Sequence, residues 1–353
     1  AGSAAQGAPW GVGAGATFET YSLSSDAAEF ETVSLLTLPF AARAELGRRL
    51  TLSAAGAWAR GTLSRIDGSD ATLSGLTDTE VRLGWSVPGD VLRLEAVGYL
   101  PTGQSTHDDD EAAVAGVVAA DLLPFQISHW GTAGAVAMNA SAARTWGALG
   151  AGVAASYRLS GDFDPVEGTD FTYAPGDELH LRLALDYRIG RSQKVSLTVG
   201  VRSFQEDAAE EANLFQTGDR FEAMGTWAFP VALRAAGALY GGVIHRERGT
   251  FLQEIGDGVP TQDLILLGGV ARAPLAGGFV LPRVDARVFR RDDGLGDGFV
   301  VGAGASLELP LGGLTLIPSA AARFGDGDLD RDRSSSFVGV QAGLTLRAGG
   351  GGR

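Results

Sequence analysis

Polar and apolar residues alternate one by one through most of this chain. In residues 177–190, DELHLRLALDYRIG, the residues Leu179, Leu181, Leu183, Leu185 and Tyr187 fall on one side, and Glu178, His180, Arg182, Ala184, Asp186 and Arg188 on the other. A period of two is the signature of a β-strand with two unlike faces. The same alternation, punctuated by turn residues, predicts strands at about 10–23, 32–46, 49–64, 76–87, 90–102, 131–144, 148–160 and 177–189. It continues at about 193–205, 219–231, 234–247, 261–273, 278–291, 298–309, 313–324 and 335–347. Gly and Ala occupy many sites where a soluble core would place Leu, Ile or Phe. The count is about sixteen, an even number, as bacterial outer-membrane barrels have.

The connections between these strands alternate in length. LGRRL, VPGDV, TWGAL, IGRSQK, VALRA, PLAGG and PLGG are short, while IDGSDATLSG, SGDFDPVEGTDFTYAPGD, QEDAAEEANLFQTGD, ERGTFLQEIGDGVPTQ and GDGDLDRDRSSS are long. Every second hairpin end therefore lies on the same side, the asymmetry of barrels with tight periplasmic turns and longer outer loops. The long connections carry most of the carboxylates, including Asp108 to Glu111, Asp162, Asp164, Glu167, Glu206, Asp207, Glu210 and Glu211; the short ones carry Arg48, Arg49, Arg191, Lys194 and Arg234. The outer rim is expected to be acidic.

Lipid-facing rows follow from the alternation. They are Leu36, Leu38, Phe40, Ala42 and Ala44, with Arg43 and Glu45 inward; Val81, Leu83 and Trp85 against Glu80, Arg82 and Ser86; and Val195, Leu197, Val199 and Val201 against Ser196, Thr198 and Arg202. In the last strand Val338, Val340, Ala342, Leu344 and Leu346 oppose Gln341, Thr345 and Arg347, whereas 131–144 and 234–247 are too rich in Ala and Gly to orient. Trp10, Tyr21, Phe40, Trp58, Trp85, Tyr99, Trp130, Trp146, Tyr157, Tyr187, Trp227 and Phe229 sit near strand ends and are expected in interfacial girdles, with ordinary packing as the competing account. The fold class is all-β: a transmembrane antiparallel β-barrel in one domain, residues 1–348, with a flexible Gly-rich tail at 349–353.

Composition narrows the setting. A formal charge of −14 over 353 residues excludes a nucleic-acid partner, since phosphate binding needs a basic stripe. With no cysteine there is no disulfide framework or thiolate metal site. No stretch reaches the roughly 18 apolar residues of a membrane-crossing helix, so membrane residence requires strands. The small residues of AGSAAQGAPW are those expected at an end left by signal removal, consistent with the bacterial outer membrane. A hairpin unit of about 44 residues overlaps the period of propeller blades, but a blade needs four short strands per unit, so the barrel ranks first.

The stretch GLTDTEVRLGWSV, followed by LRLEAVGYLPTGQS and GTAGAVAMNASAARTWGALGAGVAASYRLSGD, resembles outer-membrane barrels of the phenol meta-pathway degradation type, which are similar in turn to the long-chain fatty acid transporter superfamily. The shared pattern is a GL-x-D strand before a strand ending in LPTG, here Leu100 to Gly103, and the resemblance covers roughly 75–162. It implies a barrel passing small, often hydrophobic compounds. Two departures from it are expected: the first strand begins near Trp10, leaving too little chain before it to fill a lumen as a plug, and the end, LTLRAGGGGR, is not aromatic.

Candidate lumen-facing residues are His180, Arg182, Asp186, Arg188, Arg202, Arg283, Asp285, Arg287 and Glu308, with Arg291, Arg272 and Ser306 nearby. An Arg ladder would attract anions and tune conductance; the competing account is that interior charges pair and brace the wall. The longest connection, Gln104 to Gly131, carries an apolar run from Ala112 to Phe125 and could fold inward as a constriction, with His107, Asp108, Asp109, Asp110 and Phe125 as candidates, or outward as a hairpin or short helix. DGDLDRDR, Asp326 to Arg333, has Arg331 and Phe337 where a Ca²⁺ loop needs Gly and Glu, so it reads as a solvated acidic loop. His107, His129, His180 and His245 are scattered, so neither a metal nor a cofactor is expected. A hydrolase built on His180, Ser196 and Asn139 lacks a motif, and no enzyme activity is expected. The expected partners are the bilayer, its outer-leaflet lipids and small solutes. The expected function is a channel, the alternative being an occluded barrel that anchors partner proteins in an envelope assembly.

Overall fold

Alternating sequences of this kind cannot satisfy an edge in lipid, and the chain removes its edges by closing on itself. The computed structural model describes all residues except 1–9, 25–29, 88, 90, 169–170, 210–211, 233, 253–257, 276, 294–296, 331–332 and 351–353. The wall begins with β1 (Trp10–Leu23), β2 (Phe30–Leu46), β3 (Leu50–Arg65), β4 (Asp70–Leu76), β5 (Thr79–Ser86), β6 (Leu92–Leu100), β7 (Ala135–Trp146) and β8 (Leu149–Ser160). Beyond the short loop strand β9 (Tyr173–Ala174), it continues with β10 (Glu178–Ile189) and β11 (Gln193–Phe204). A loop hairpin, β12 (Glu206–Ala209) and β13 (Ala212–Gln216), precedes β14 (Arg220–Ala232) and β15 (Ala235–Arg246). After β16 (Thr250–Phe251), a second loop strand, come β17 (Gln262–Leu275), β18 (Gly278–Arg291), β19 (Gly298–Leu311), β20 (Leu314–Asp330) and β21 (Arg333–Gly350).

Each wall strand pairs antiparallel with its neighbours, and β21 closes onto β1 from Trp10 opposite Gly350 to Leu23 opposite Phe337. β4 and β5 pair with the upper and lower parts of β3, Ser64 lying opposite Asp70 and Ala55 opposite Glu80. Counted as one interrupted strand, they reduce the seventeen segments of the main sheet to sixteen. A twelve-residue strand such as β10 rises about 40 Å and, tilted near 40°, crosses about 30 Å, the thickness of a hydrocarbon core.

The outer surface is an apolar belt. Leu179, Leu181, Leu183, Leu185 and Tyr187 are exposed, as are Leu83 and Trp85, Val195 and Leu197, and Val338, Val340, Leu344 and Leu346. So continuous an exposed apolar surface is stable only against lipid, and this is a transmembrane β-barrel. The two strands that the sequence left unoriented resolve: Val136 and Met138 of β7 and Leu239 and Val243 of β15 are exposed outside. Trp10, Trp85, Trp146, Tyr187 and Trp227 are exposed towards the short-turn end. Among the short turns, Gly47 (φ 82°) and Gly277 (φ 78°) take the left-handed conformation that favours glycine.

Several expectations change. Tyr21 and Trp130 are each about 1% exposed and belong to the interior cluster, so they are not girdle residues; Tyr99 lines an interior cavity. Residues 66–75 are not a long loop but a tight turn followed by β4. The proposed tail shortens, because Gly349 and Gly350 continue β21 opposite Gly11 and Trp10; 351–353 lie outside the described residues. The Asp326 to Arg333 stretch is largely strand rather than loop, and its Arg331 and Asp332 lie outside the described residues, as do Glu210 and Glu211. At the long-connection end β9, β12, β13 and β16 form a separate four-stranded sheet.

Candidate functional site

The site is built by the connection between β6 and β7, which folds into the barrel. Its neck is organised by Asp78, at the break between β4 and β5. One carboxylate oxygen accepts the Gly103 amide at 3.1 Å; the other accepts the Thr132 amide at 2.8 Å and hydroxyl at 3.2 Å. Thr102 Oγ1 donates to the Thr77 carbonyl at 2.8 Å and accepts the Thr79 amide at 2.9 Å. Gly103 is required by close approach, since a Cβ there would lie 2.1 Å from the Trp130 carbonyl oxygen. The two halves of the GL-x-D and LPTG pattern thus meet around one carboxylate.

Beyond the neck, α1 (Asp109–Ala119) starts at a capping box: Asp108 accepts the Glu111 amide at 2.8 Å and Glu111 accepts the Asp108 amide at 3.4 Å. Val114 and Val118 are buried in one cluster with Ala59, Leu63 and Leu73 from the inner face of β3 and β4. A Cβ on Gly61 would come within 2.6 Å of a Val114 methyl, so the helix rests against the wall backbone. The chain then follows the inner wall. Arg287 donates to the Asp121 carbonyl at 3.0 Å, and a Cβ on Gly327 would lie 2.5 Å from a Leu122 methyl. Phe125 meets Tyr21 edge-on at 5.2 Å, the Gln126 amide donates to Glu19 at 3.1 Å, and Trp130 Nε1 donates to the Ala59 carbonyl at 3.3 Å.

Glu19 is the anchor of this arrangement. It is fully buried, and its second oxygen accepts from Gln341 at 3.0 Å and Arg323 at 3.4 Å. Arg323 also donates to the Tyr21 hydroxyl at 3.0 Å, and Arg283 to Gln341. The inward segment therefore covers the inner face of the arc running from β17 through β21 and β1 to β4.

The arc from β5 to β11 keeps a polar inner face. It lines a cavity of about 350 Å³ whose walls include Arg82, Glu95, Tyr99, Arg158, His180 and Arg202. Charges along it are partly paired. Arg82 bonds Glu80; Arg93 lies 2.7 Å from Glu95; and Glu178 is shared by Arg158 at 3.4 Å and Arg202 at 3.1 Å. Arg182 Nε donates to His180 Nε2 at 3.0 Å and lies 3.5 Å from Glu222.

The residues singled out from sequence distribute over four places. His180, Arg182 and Arg202 line the polar cavity; Asp186 pairs with Lys194 at 3.0 Å, and Arg188 donates to the Gly147 carbonyl, both towards the short-turn end. Arg283, Asp285 and Arg287 share the inward side of β18. Arg283 and Arg287 bond Gln341 and the inward segment, while Glu308 pairs with Arg272 at 2.8 Å. In the long connection, Asp108 is a helix cap, Asp109 is exposed in the first helical turn, Asp110 pairs with Arg65 at 2.6 Å, and His107 joins the outer loop at Val166. Of these candidates, Phe125 is the one packed on the deep inner wall. His180 lies opposite Arg202 and Ser196 opposite Asp186, about 20 Å apart along the strand, so the hydrolase constellation is not assembled.

Glu19, Asp78, Asp121, Arg158, Arg220 and Arg246 were not singled out. Glu19 stands in the alternating series Thr17, Glu19, Tyr21, and because Tyr21 reads as an interfacial aromatic, that pattern yields neither the inward side of Glu19 nor its burial. Arg158, Arg220 and Arg246 stand near strand ends, where alternation fades into turn sequence.

No family model and no curated protein matches the sequence. Among solved structures, the fold is similar to one described as a bacterial polysaccharide outer membrane secretin, with 8% identity over 95% of this chain and 98% of that one and a TM-score of 0.48. It is also similar to a loop-deletion variant of OmpT, an outer membrane protein of Vibrio cholerae, with 11% identity over 96% and 97% of the two chains and a TM-score of 0.44. A mutant of the Rhodopseudomonas blastica porin is similar at 12% identity over 96% and 98%, with a TM-score of 0.41.

Proposed function

We propose that this chain is an outer-membrane channel for small water-soluble solutes, narrowed on one side by the inward segment 101–134. The observation that carries this reading is the division of the inner wall. One arc is sealed by Val114, Val118, Leu122 and Trp130, while the arc from β5 to β11 faces a polar cavity with Arg82, Arg158, Arg182 and Arg202. Charged side chains inside a lipid-embedded wall need water or partners, and lumen residues tune what passes. That lining favours hydrophilic solutes over the hydrophobic compounds implied by the LPTG resemblance. The even strand number, the short turns at one end and the longer connections at the other support placement in the outer membrane.

Planar-bilayer recording with the purified chain tests the reading. Stable unitary conductance steps are expected, and replacing residues 106–128 with a short Gly-Ser linker should raise the unitary conductance severalfold. A barrel that stays silent in both forms while retaining bound envelope proteins would overturn the channel and favour an anchoring scaffold.

A further inference from the structure

Near the long-connection end of the wall, inward arginines stand side by side on adjacent strands. Arg202 of β11 lies directly opposite Arg220 of β14, and Arg220 directly opposite Arg246 of β15. Like charges facing each other across a sheet repel, so such a row needs negative charge among its members. The neighbouring carboxylates of the wall strands are already engaged. Glu178 is shared by Arg158 and Arg202, and Glu222 lies 3.5 Å from Arg182 and 3.2 Å from His180.

Among the described residues the Arg220 side chain has no hydrogen bond or ion pair, and Arg246 bonds the Gln262 side-chain oxygen at 3.2 Å. The Nε atoms of Arg202, Arg220 and Arg246 are buried without an acceptor. Beside Arg220 and Arg246 lies a cavity of about 20 Å³, bordered also by Asp121, Gln262 and Phe289, enough for a water-sized group. Asp121, carried by the inward segment, makes no ion pair with either arginine among the described residues.

We propose that Arg202, Arg220 and Arg246 form a binding row for oxyanionic solutes bearing a phosphate or paired carboxylates. Guanidinium forks match both geometries and act as fixed charges at any physiological pH. Three adjacent strands set the row's reach at about 10 Å, suited to a divalent or bifunctional anion. Asp121, anchored through its backbone by Arg287, faces the same cavity as a competing negative charge. This assignment deepens the channel reading and rests on it only for how the anion arrives.

Isothermal titration of the full chain in detergent tests the row, with inorganic phosphate and succinate as separate probes. Saturable binding of at least one is expected, weakened about tenfold or more by Arg220→Gln and strengthened severalfold by Asp121→Asn. Arg220→Lys, which keeps the charge and loses the fork, should fall between. Absence of saturable binding for both probes, or equal affinity in wild type and a folded Arg220→Gln, would overturn the proposal. If Arg220→Gln does not fold, Asp121→Asn decides: tighter binding supports the row and unchanged binding overturns it. Bilayer recordings of the same preparation separate the two readings, since conductance without binding removes only the anion row, and binding without conductance removes only the channel.

Discussion

Glu19 couples the inward segment to the wall through a single carboxylate: one oxygen holds the Gln126 amide, the other Arg323 and Gln341. Removing one partner of a buried ion pair leaves the other charge uncompensated and costs about 3–5 kcal/mol. Glu19→Gln should lower the barrel's stability by that order in urea unfolding from lipid vesicles, read by tryptophan fluorescence; an unchanged midpoint would show the carboxylate to be neutral or solvated. Gly61 makes the complementary case, because its missing Cβ is the space in which Val114 sits. Gly61→Val should push α1 off the wall while leaving strand pairing intact, raising unitary conductance and exposing the segment to protease. At this scale the sequence was half legible. Period two groups Glu19 with Thr17 and Tyr21, but Tyr21 reads as an interfacial aromatic, and a strand carboxylate reads as solvated until a distant part of the chain covers it. The role of Asp78 is not legible in its motif, since its partners Gly103 and Thr132 lie 25 and 54 positions away.

At the scale of elements, the wall strands were legible to within a few residues because lipid on one side and water or polar cover on the other impose opposite preferences on successive positions. β10 states this most plainly. Leu183→Arg, on its lipid face near mid-strand, should cost about 2–4 kcal/mol in a bilayer, whereas Ala184→Arg on the inner face should cost far less; equal costs by denaturant titration would contradict the assigned faces. β4 looks like loop in the sequence because DATLSGL is rich in small and polar residues, and α1 is not legible because its apolar residues lack a single helical stripe. The inward segment also carries a titration. Burial pushes His107 below its ordinary value of 6.5, outweighing the opposing pull of Glu111 and Asp108. A histidine held neutral in the folded state contributes stability above pH 6.5 that is lost as pH falls from there through the depressed folded value. Proteolysis within 104–130 should therefore accelerate on acidification below about pH 6.5, and His107→Gln should flatten that profile.

For the whole molecule, the division of the inner wall into a sealed arc and a polar arc is the feature from which the other readings descend. Sequence alternation established that a barrel closes, but not which arc the long connection would cover. That choice depends on contacts such as Leu122 with Gly327 and Trp130 with Ala59, made between segments far apart in the chain. Both rest on the outer rows facing hydrocarbon and the inner rows facing an aqueous interior. The chain contains no cysteine, so single cysteines can report each face without background. In lipid vesicles, a spin label at Leu183→Cys should be relaxed strongly by oxygen dissolved in the bilayer and weakly by a water-soluble nickel chelate, and one at Arg182→Cys should show the reverse. Strong relaxation of both labels by the nickel chelate would contradict the account.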